Sequence, residues 1–402
     1  MSPSDGTRRL LLVQPCHESV RKAVAAGFHV WSVRDRDTDD DPLCLAEAER
    51  LSQRLLLTDT REPAGLAALL RDAARSAGLS LTLYLGERPG RSAALAAVDA
   101  AGLSLTSARS VHRITDPTAM RRLLNESGRS VVRARHARTV TEVLELAEHW
   151  PLPLVVKHTG ADGGAGVTPI RTPAELTAWT ARRPADPAVG PYLLEEFLTG
   201  PVFAVHTLTA DSMHHVLAIT AHQDDGGTVT EVYPAPLDSR ERAELRAVAT
   251  ALLDLADYRF GVTCTRMVLT PHGARVVAAE DGLRGAGPDL LRIGAGYDPE
   301  LWLFRALAGE PVPRPVPQRA AAATEVPLPA GIGTADLASV PYVRYFRTPR
   351  PGTGQPGRVA VEAGSPDEAG RRITAVRALW DRAERADGGC GTCSRGRGIS
   401  AG

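Results

Sequence analysis

The stretch Leu152-Pro153-Leu154-Val155-Val156-Lys157, followed two residues later by Gly160-Ala161-Asp162-Gly163-Gly164-Ala165-Gly166, decides the predicted fold. Its apolar part predicts a short buried strand that ends in a lysine. The glycines predict a loop whose backbone N–H groups can approach phosphate oxygens closely, and the lysine adds a positive charge beside that loop. Only two of the 47 basic residues are lysines, Lys22 and Lys157. We interpret this stretch as a phosphate site holding Lys157, Gly163, Gly164 and Gly166; the alternative is a glycine-rich hairpin with a solvated lysine.

A second informative stretch is Leu193-Leu194-Glu195-Glu196-Phe197-Leu198-Thr199-Gly200-Pro201. A strand that leaves a sheet with two acids and then apolar residues can form a hinge between lobes. We interpret Glu195, Glu196, Phe197 and Leu198 as an adenine-binding segment: backbone groups of Phe197 and Leu198 meet the purine edge, and Glu195 accepts a hydrogen bond from the adenine amino group. The alternative is an edge strand with two exposed carboxylates.

The first hundred residues alternate short apolar runs with helical patterns, which predicts βαβ units and a parallel sheet. The turn after the first strand, Gln14-Pro15-Cys16-His17, has no glycine, so it lacks the phosphate-binding fingerprint of a nicotinamide enzyme. The predicted elements are strands over Leu10–Val13, Phe28–Val33 and Leu81–Leu85 and helices over Glu18–Ala26 and Arg61–Ala77.

The rest of the chain divides into further units. Strand-like segments around a helix over Arg240–Ala256 predict a second lobe, and the proline-rich run Pro311 to Pro317 predicts a stiff linker. A small α+β unit and a disordered tail rich in Gly, Ser and Arg follow. The predicted domains are an N-terminal α/β domain over 1–110, two lobes over 111–310, a C-terminal α+β subdomain over 318–385 and the tail over 386–402.

Composition excludes several functional classes. At roughly 150 residues per domain, 402 residues correspond to about two or three globular domains. The 47 basic and 47 acidic residues cancel, which argues against nucleic-acid or anionic-membrane partners. No apolar run reaches the roughly 18 residues that span a bilayer. The N-terminus lacks signal-peptide features and the five cysteines are scattered, so we expect free thiols and a cytoplasmic protein.

The order and spacing of these motifs resemble the ATP-grasp superfamily. The matching residues are Thr115-Asp116 with Met120-Arg121, then the lysine strand with its loop, then the segment Leu194 to Pro201, then Val276 to Pro288. The chain looks like a carboxylate-amine ligase of the L-amino acid ligase type over residues 10–385. The resemblance implies a mixed α/β and α+β ATP-grasp fold, and ATP held between two lobes.

The resemblance also implies a reaction. The γ-phosphate of ATP would pass to a small-molecule carboxylate, and a small-molecule amine would displace the acyl phosphate to form an amide. Mg²⁺ and basic side chains would neutralise the phosphates. Members of the family often pair, so the resemblance also implies a homodimer.

The residues at the implied metal site depart from the family pattern. Arg266 occupies the position of the first acid. If Glu280, with Asp281 beside it, is the second acid, Arg284 falls at the family's catalytic arginine. Counting from Arg266 instead places Ala278 at the acid and Glu280 at the family's asparagine. We assign Glu280 to the metal, and Arg284 and Arg266 to substrate or acyl phosphate.

Two further departures affect nucleotide binding. Pro117 stands where the family often has a lysine, and Val202 where a glutamate commonly holds the ribose. An arginine cannot hold Mg²⁺, but its charge can take the place of the cation or meet a carboxylate. A second hypothesis follows, in which the protein is a degenerate ATP-grasp module that binds a ligand or a partner without phosphoryl transfer.

Overall fold

The computed structural model has three sheets flanked by helices, with mixed α/β architecture. It describes residues 8–36, 42–79, 81–85, 91–159, 166–182, 190–225, 228–283, 285–326, 337, 339–347 and 357–387. No helix in these ranges is both long enough and apolar enough to cross a membrane. The predicted tail residues from 388 onward lie outside the described ranges.

The strands and helices are numbered in chain order. The strands are β1 (Arg8–Val13), β2 (Phe28–Asp35), β3 (Arg54–Thr58), β4 (Leu81–Tyr84), β5 (Ala134–Ala137), β6 (Leu154–His158), β7 (Val167–Ile170), β8 (Tyr192–Glu196), β9 (Val202–Ala210), β10 (Met213–Asp225), β11 (Thr228–Tyr233), β12 (Gly261–Thr270), β13 (Gly273–Asp281), β14 (Ala320–Val326), β15 (Val343–Arg347) and β16 (Gly357–Ala363). The helices are α1 (His17–Ala25), α2 (Pro42–Leu51), α3 (Pro63–Ala77), α4 (Arg91–Ala100), α5 (Ala108–Thr115), α6 (Pro117–Glu126), α7 (Val140–Glu148), α8 (Pro173–Ala181), α9 (Ser239–Ala256), α10 (Gly287–Ala295), α11 (Pro299–Leu307) and α12 (Pro366–Asp387).

The N-terminal sheet has the order β3-β2-β1-β4, and all its pairs are parallel. Its central strand β1 is apolar on both faces because helices cover both sides, and Leu10 to Val13 are completely buried. The predicted parallel sheet is therefore confirmed.

Two antiparallel sheets follow. The smaller has the order β5-β8-β6-β7 and contains both motifs from the sequence, since β6 pairs directly with β8. The larger has eight strands in the order β13-β12-β9-β10-β11-β14-β16-β15. Helix α9 covers one of its faces, and α10 and α11 pack against the other. The two sheets meet where β6 and β8 approach β13.

The segment after the proline-rich linker joins the larger sheet. Strand β14 pairs with β11 on one side and with β16 on the other. The alanines Ala320 to Ala323 are buried in this strand, and α12 packs over it. The α+β composition predicted for this region is present, and its strands continue the sheet of the second lobe.

Helix α6 begins after a capping aspartate. The Asp116 side chain accepts a hydrogen bond from Ala119 N at 2.7 Å, which caps the helix. Pro117 occupies the first helical position, where the missing N–H costs nothing and the fixed φ suits the helix. This local role explains a proline at the position where the family often has a lysine. The same helix places Arg121 and Met120 in the interior.

Candidate functional site

Lys157 lies on β6 with its ammonium group buried between the two antiparallel sheets. The residue is 5% exposed. Its Nζ lies 2.5 Å from Glu195 Oε2 and donates a hydrogen bond to Val277 O at 2.7 Å. Burial lowers the pKa of Lys157 in spite of the opposing Glu195 carboxylate, and the nearby Arg121 and Arg266 charges lower it further. The hairpin alternative requires a solvated lysine, and Lys157 is buried instead.

Glu195 holds two buried cations at once. Its Oε1 accepts a hydrogen bond from Arg121 Nε at 2.5 Å, while its Oε2 faces Lys157. Glu195 is 3% and Arg121 1% exposed. Although burial alone would raise the pKa of Glu195, the two cations lower it. Both oxygens of Glu195 thus have cationic partners, and the hydrogen bond from an adenine amino group to Glu195 stays a prediction.

Glu196, Phe197 and Leu198 form an edge of the small sheet where β8 ends. They lie beside the buried triad of Lys157, Glu195 and Arg121. Successive strand residues face opposite sides, so Glu196 points away from Lys157, and its Oε1 accepts a hydrogen bond from Arg133 N at 2.7 Å. Phe197 and Leu198 are half-buried, and the Arg171 guanidinium lies 5.4 Å from the Phe197 ring centroid. The two exposed carboxylates of the edge-strand alternative are not found.

Only the last glycine of the loop lies within the described residues. Gly166 has φ of 116°, and its carbonyl accepts a hydrogen bond from His158 N at 3.2 Å. The loop thus connects antiparallel strands β6 and β7, in which Lys157 pairs with Val167. Gly163 and Gly164 lie outside the described residues, and their phosphate role stays a prediction.

The pairing of β12 with β13 settles which residue faces Arg266. A register shift lies between Arg266 and Met267: Met267 pairs with Val276, whereas Arg266 pairs with Ala278. Val277 is thus the extra residue of a β-bulge, and its carbonyl is the one that accepts from Lys157. The strand pairing places Ala278 opposite Arg266, and both countings of the family's acid and asparagine positions stay predictions.

The residues present do not fit a Mg²⁺ site. The Glu280 carboxylate accepts a charged hydrogen bond from Arg266, on the adjacent strand. Asp281, which faces the other side, is held by Arg91 and by the Tyr258 hydroxyl. Within the described ranges, no three His, Cys, Asp or Glu side chains come together as a metal-binding group. Mg²⁺ needs oxygen ligands, and here the Glu280 carboxylate is the partner of Arg266, so the assignment of Glu280 to a metal stays a prediction.

Arg284, the predicted catalytic arginine, lies outside the described residues, and its role stays a prediction. Its neighbour Gly285 accepts a hydrogen bond through its carbonyl from Arg358 Nη1 at 2.6 Å.

A buried polar cluster on the same sheet face was missed by sequence reasoning. His206 Nε2 lies 3.2 Å from Glu231 Oε1, and Thr220 donates to the same oxygen at 2.7 Å. Cys264 pairs with His206 across β12 and β9, and His222 with Glu231 across β10 and β11. These residues come from separate strands, and only the sheet order β12-β9-β10-β11 brings them together. No polar–apolar alternation signals the cluster, since β9 begins with the apolar run Val202 to Val205 and β10 contains the apolar run Val216 to Ile219.

The cluster predicts a specific pH dependence of stability. Burial lowers the pKa of His206, but Cys264 and Glu231 outweigh it and raise the pKa from 6.5 to about 10. Burial likewise opposes the shift of Glu231, whose pKa falls from 4.5 to about 2 because of His206 and His222. The His206 contribution is complete below pH 6.5 and is lost as pH rises toward 10; that of Glu231 is complete above pH 4.5 and is lost below it.

We therefore expect His206→Gln to destabilise the protein most at pH 4.5 to 6.5 and progressively less toward pH 10. Urea unfolding of both proteins across this range measures the difference. A difference that stays constant between pH 6.5 and 10 contradicts a charged His206 in the native protein.

One family of known proteins matches the part of the chain that contains β6 and β8. Residues 116–276 match the family of the carbamoyl-phosphate synthase L chain ATP-binding domain. No curated protein sequence is similar to this chain.

Several solved structures share the fold across nearly the whole chain. The L-amino acid ligase from Bacillus licheniformis has a TM-score of 0.74 at 18% identity, covering 94% of this chain and 98% of that one. N5-carboxyaminoimidazole ribonucleotide synthetase from Thermotoga maritima has a TM-score of 0.72 at 15% identity, with coverage of 92% and 98%. The Staphylococcus aureus N5-carboxyaminoimidazole synthetase complexed with ADP has a TM-score of 0.70 at 12% identity, with coverage of 92% and 96%.

At these identities the solved structures show the fold alone, and the family match over 116–276 covers the small sheet and most of β9 to β13. Together these findings give the fold of the whole chain and the family of one segment. This chain has the ATP-grasp fold, and its residues 116–276 match the ATP-binding domain family.

Proposed function

We propose that this protein is an ATP-dependent carboxylate-amine ligase that acts on an amino acid or a related small metabolite. The observation that carries the proposal is the buried ammonium of Lys157 near the end of β6, paired with Glu195, on the strand that precedes the glycine-rich stretch in the sequence. A desolvated lysine beside a loop of glycines is suited to a polyanion. The match of residues 116–276 to an ATP-binding domain supports an adenine nucleotide as that polyanion.

The described residues suggest how the nucleotide would lie. Lys157 and the loop containing Gly163, Gly164 and Gly166 would hold the phosphates. The edge formed by Glu196 to Leu198 would meet the adenine, and Glu195 would orient the Lys157 ammonium. Because Arg121 also holds Glu195 and donates to Ser130 O at 3.1 Å, the triad is fixed before any ligand binds.

The proposed reaction has two steps. A carboxylate oxygen attacks the γ-phosphorus, and the bond to the bridging oxygen breaks, so that an acyl phosphate and ADP form. The amine nitrogen then attacks the acyl carbon, phosphate leaves, and an amide remains. In this proposal Arg266 and Arg284 interact with the phosphates or with the substrate carboxylate, and no step is assigned to Mg²⁺, since the residues do not fit it.

A second candidate function is favoured by one observation, the ion pair between Arg266 and Glu280. Phosphoryl transfer depends strongly on neutralisation of the migrating charge. If the guanidinium serves only to hold Glu280, the protein would bind a ligand or a partner in the cleft without transfer. A homodimer remains a prediction for either candidate.

ADP release distinguishes the two candidates. Purified protein is given ATP with a panel of amino acids and amines, with and without added Mg²⁺, and ADP and phosphate are measured. The ligase proposal predicts release that depends on both a carboxylate and an amine. Release that no member of a broad panel stimulates, combined with nucleotide binding, supports the binding module.

A further inference from the structure

A metal site needs carboxylates on the facing positions of β12 and β13, but β12 carries the positively charged Arg266 there. Arg266 pairs with Ala278, so the sheet face has a guanidinium next to a methyl group. The nearest acid on that face, Glu280, comes from the position paired with Cys264 and reaches Arg266 diagonally. No two carboxylates converge here among the described residues, since Asp281 turns toward Arg91 and Tyr258.

The Arg266 guanidinium lies at the accessible side of this cluster. Its side chain is 43% exposed, compared with 6% for Lys157 and 2% for Arg121. It lies close enough to Lys157 to lower the pKa of that ammonium. Of these three cations, Arg266 is therefore the one that a ligand approaching from solvent can reach with least rearrangement.

The charge balance of the cluster leaves an excess of positive charge. Three cations, Arg121, Lys157 and Arg266, face two carboxylates, Glu195 and Glu280. Glu231, whose carboxylate also acts on Arg266, has partners of its own, since it lies 3.2 Å from His206 Nε2 and accepts a hydrogen bond from Thr220. Among the ion pairs of this face the cations thus outnumber the carboxylates, which favours an anion and disfavours a divalent cation.

We propose that this site binds an adenine nucleotide without a divalent cation, with the Arg266 guanidinium in contact with its phosphates. The inference rests on the proposed nucleotide binding. The guanidinium would leave Glu280 or bridge to it, and it would contact two phosphate oxygens through its parallel N–H groups. Because Arg266 carries its charge at every physiological pH, it gives the phosphates a cationic partner whether or not Mg²⁺ is present.

Calorimetric titration of the full-length protein with ADP tests the proposal, once in EDTA and once in excess Mg²⁺. We expect dissociation constants that agree within about twofold, or tighter binding in EDTA, since Mg²⁺ competes for the phosphates. Binding that requires Mg²⁺ overturns the inference but leaves the proposed nucleotide binding intact. Absence of binding in both buffers overturns nucleotide binding itself, and this inference with it.

Two variants sharpen the test. Arg266→Gln should weaken ADP binding in EDTA by about 10- to 100-fold, since charge-assisted hydrogen bonds are lost. The matched control is Arg275→Gln, which removes an equal charge from the far end of β13, where Arg275 pairs with Val268. The control should bind ADP like the wild type; equal weakening in both variants contradicts a specific contact.

The double variant Arg266→Glu with Ala278→Glu places two acids at directly paired positions. We expect this protein to lose ADP binding in EDTA and to recover it in part when Mg²⁺ is added. Circular dichroism shows whether the double variant folds. If the double variant does not fold, the titrations of the wild type in EDTA and in Mg²⁺ decide the proposal. A folded double variant that still binds ADP in EDTA as the wild type does contradicts the proposal.

Discussion

Lys157→Met should abolish ADP release and weaken nucleotide binding by at least about 100-fold, because it removes the ammonium that we propose contacts the phosphates. Methionine keeps most of the volume of the buried stem, so the packing between the two sheets is retained. Glu195 keeps one partner in the variant, since Arg121 still donates to it. Calorimetry with ADP measures the loss of binding, and coupled ADP detection measures the loss of turnover.

The other lysine provides the control. Lys22 is also paired with acids, 3.0 Å from Asp298 Oδ2 and 2.7 Å from Glu300 Oε2, but it lies on α1. We expect Lys22→Met to lower stability and to leave nucleotide binding unchanged. If both variants bind ADP like the wild type, the ammonium of Lys157 has no role in nucleotide binding and is a structural ion pair.

Glu195→Ala should destabilise the protein by about 3 to 5 kcal/mol, the usual cost of leaving buried charges unpaired. Two cations lose their partner at once, and both lie almost completely out of water. The free energy of unfolding in urea measures the effect. Ion pairs on the protein surface contribute less than about 1 kcal/mol to stability. A loss of stability below about 1 kcal/mol in Glu195→Ala would therefore contradict the buried triad.

The neighbouring acid gives a matched comparison. Glu196→Ala removes one hydrogen bond to Arg133 N from a half-buried side chain, so we expect a loss of about 0.5 to 1.5 kcal/mol. The two variants remove the same carboxylate from adjacent positions of β8. A large difference between them shows that the stabilisation comes from the cations inside the cleft.

Much of the fold could be predicted because its strands are bounded apolar runs. The runs Leu10 to Val13 and Leu154 to Val156 are apolar and bounded in this way, and the structure has β1 and β6 there. Strand β14 was not predicted, because the alanines at 320–323 have weak strand preference. These four alanines form a strand because β11 and β16 provide backbone hydrogen-bond partners on both sides.

The candidate site was predictable only in its local parts. The rarity of lysine singled out Lys157, but its burial depends on Glu195 and Arg121, which lie far away in the sequence. The alignment of Arg266 with Ala278 could not be read from the sequence, since one extra residue, Val277, shifts the register. The cluster of His206, Glu231 and Cys264 depends on strand order, which single-strand patterns do not specify.

The central claim, that the cleft beside Lys157 is a nucleotide site, is tested most directly by a crystal structure of the protein with ADP. We predict that phosphate oxygens lie within hydrogen-bond distance of Lys157 Nζ and that the adenine edge meets the backbone of residues 196–198. A cleft that stays empty at saturating ADP, or ADP bound elsewhere on the protein, would contradict the account.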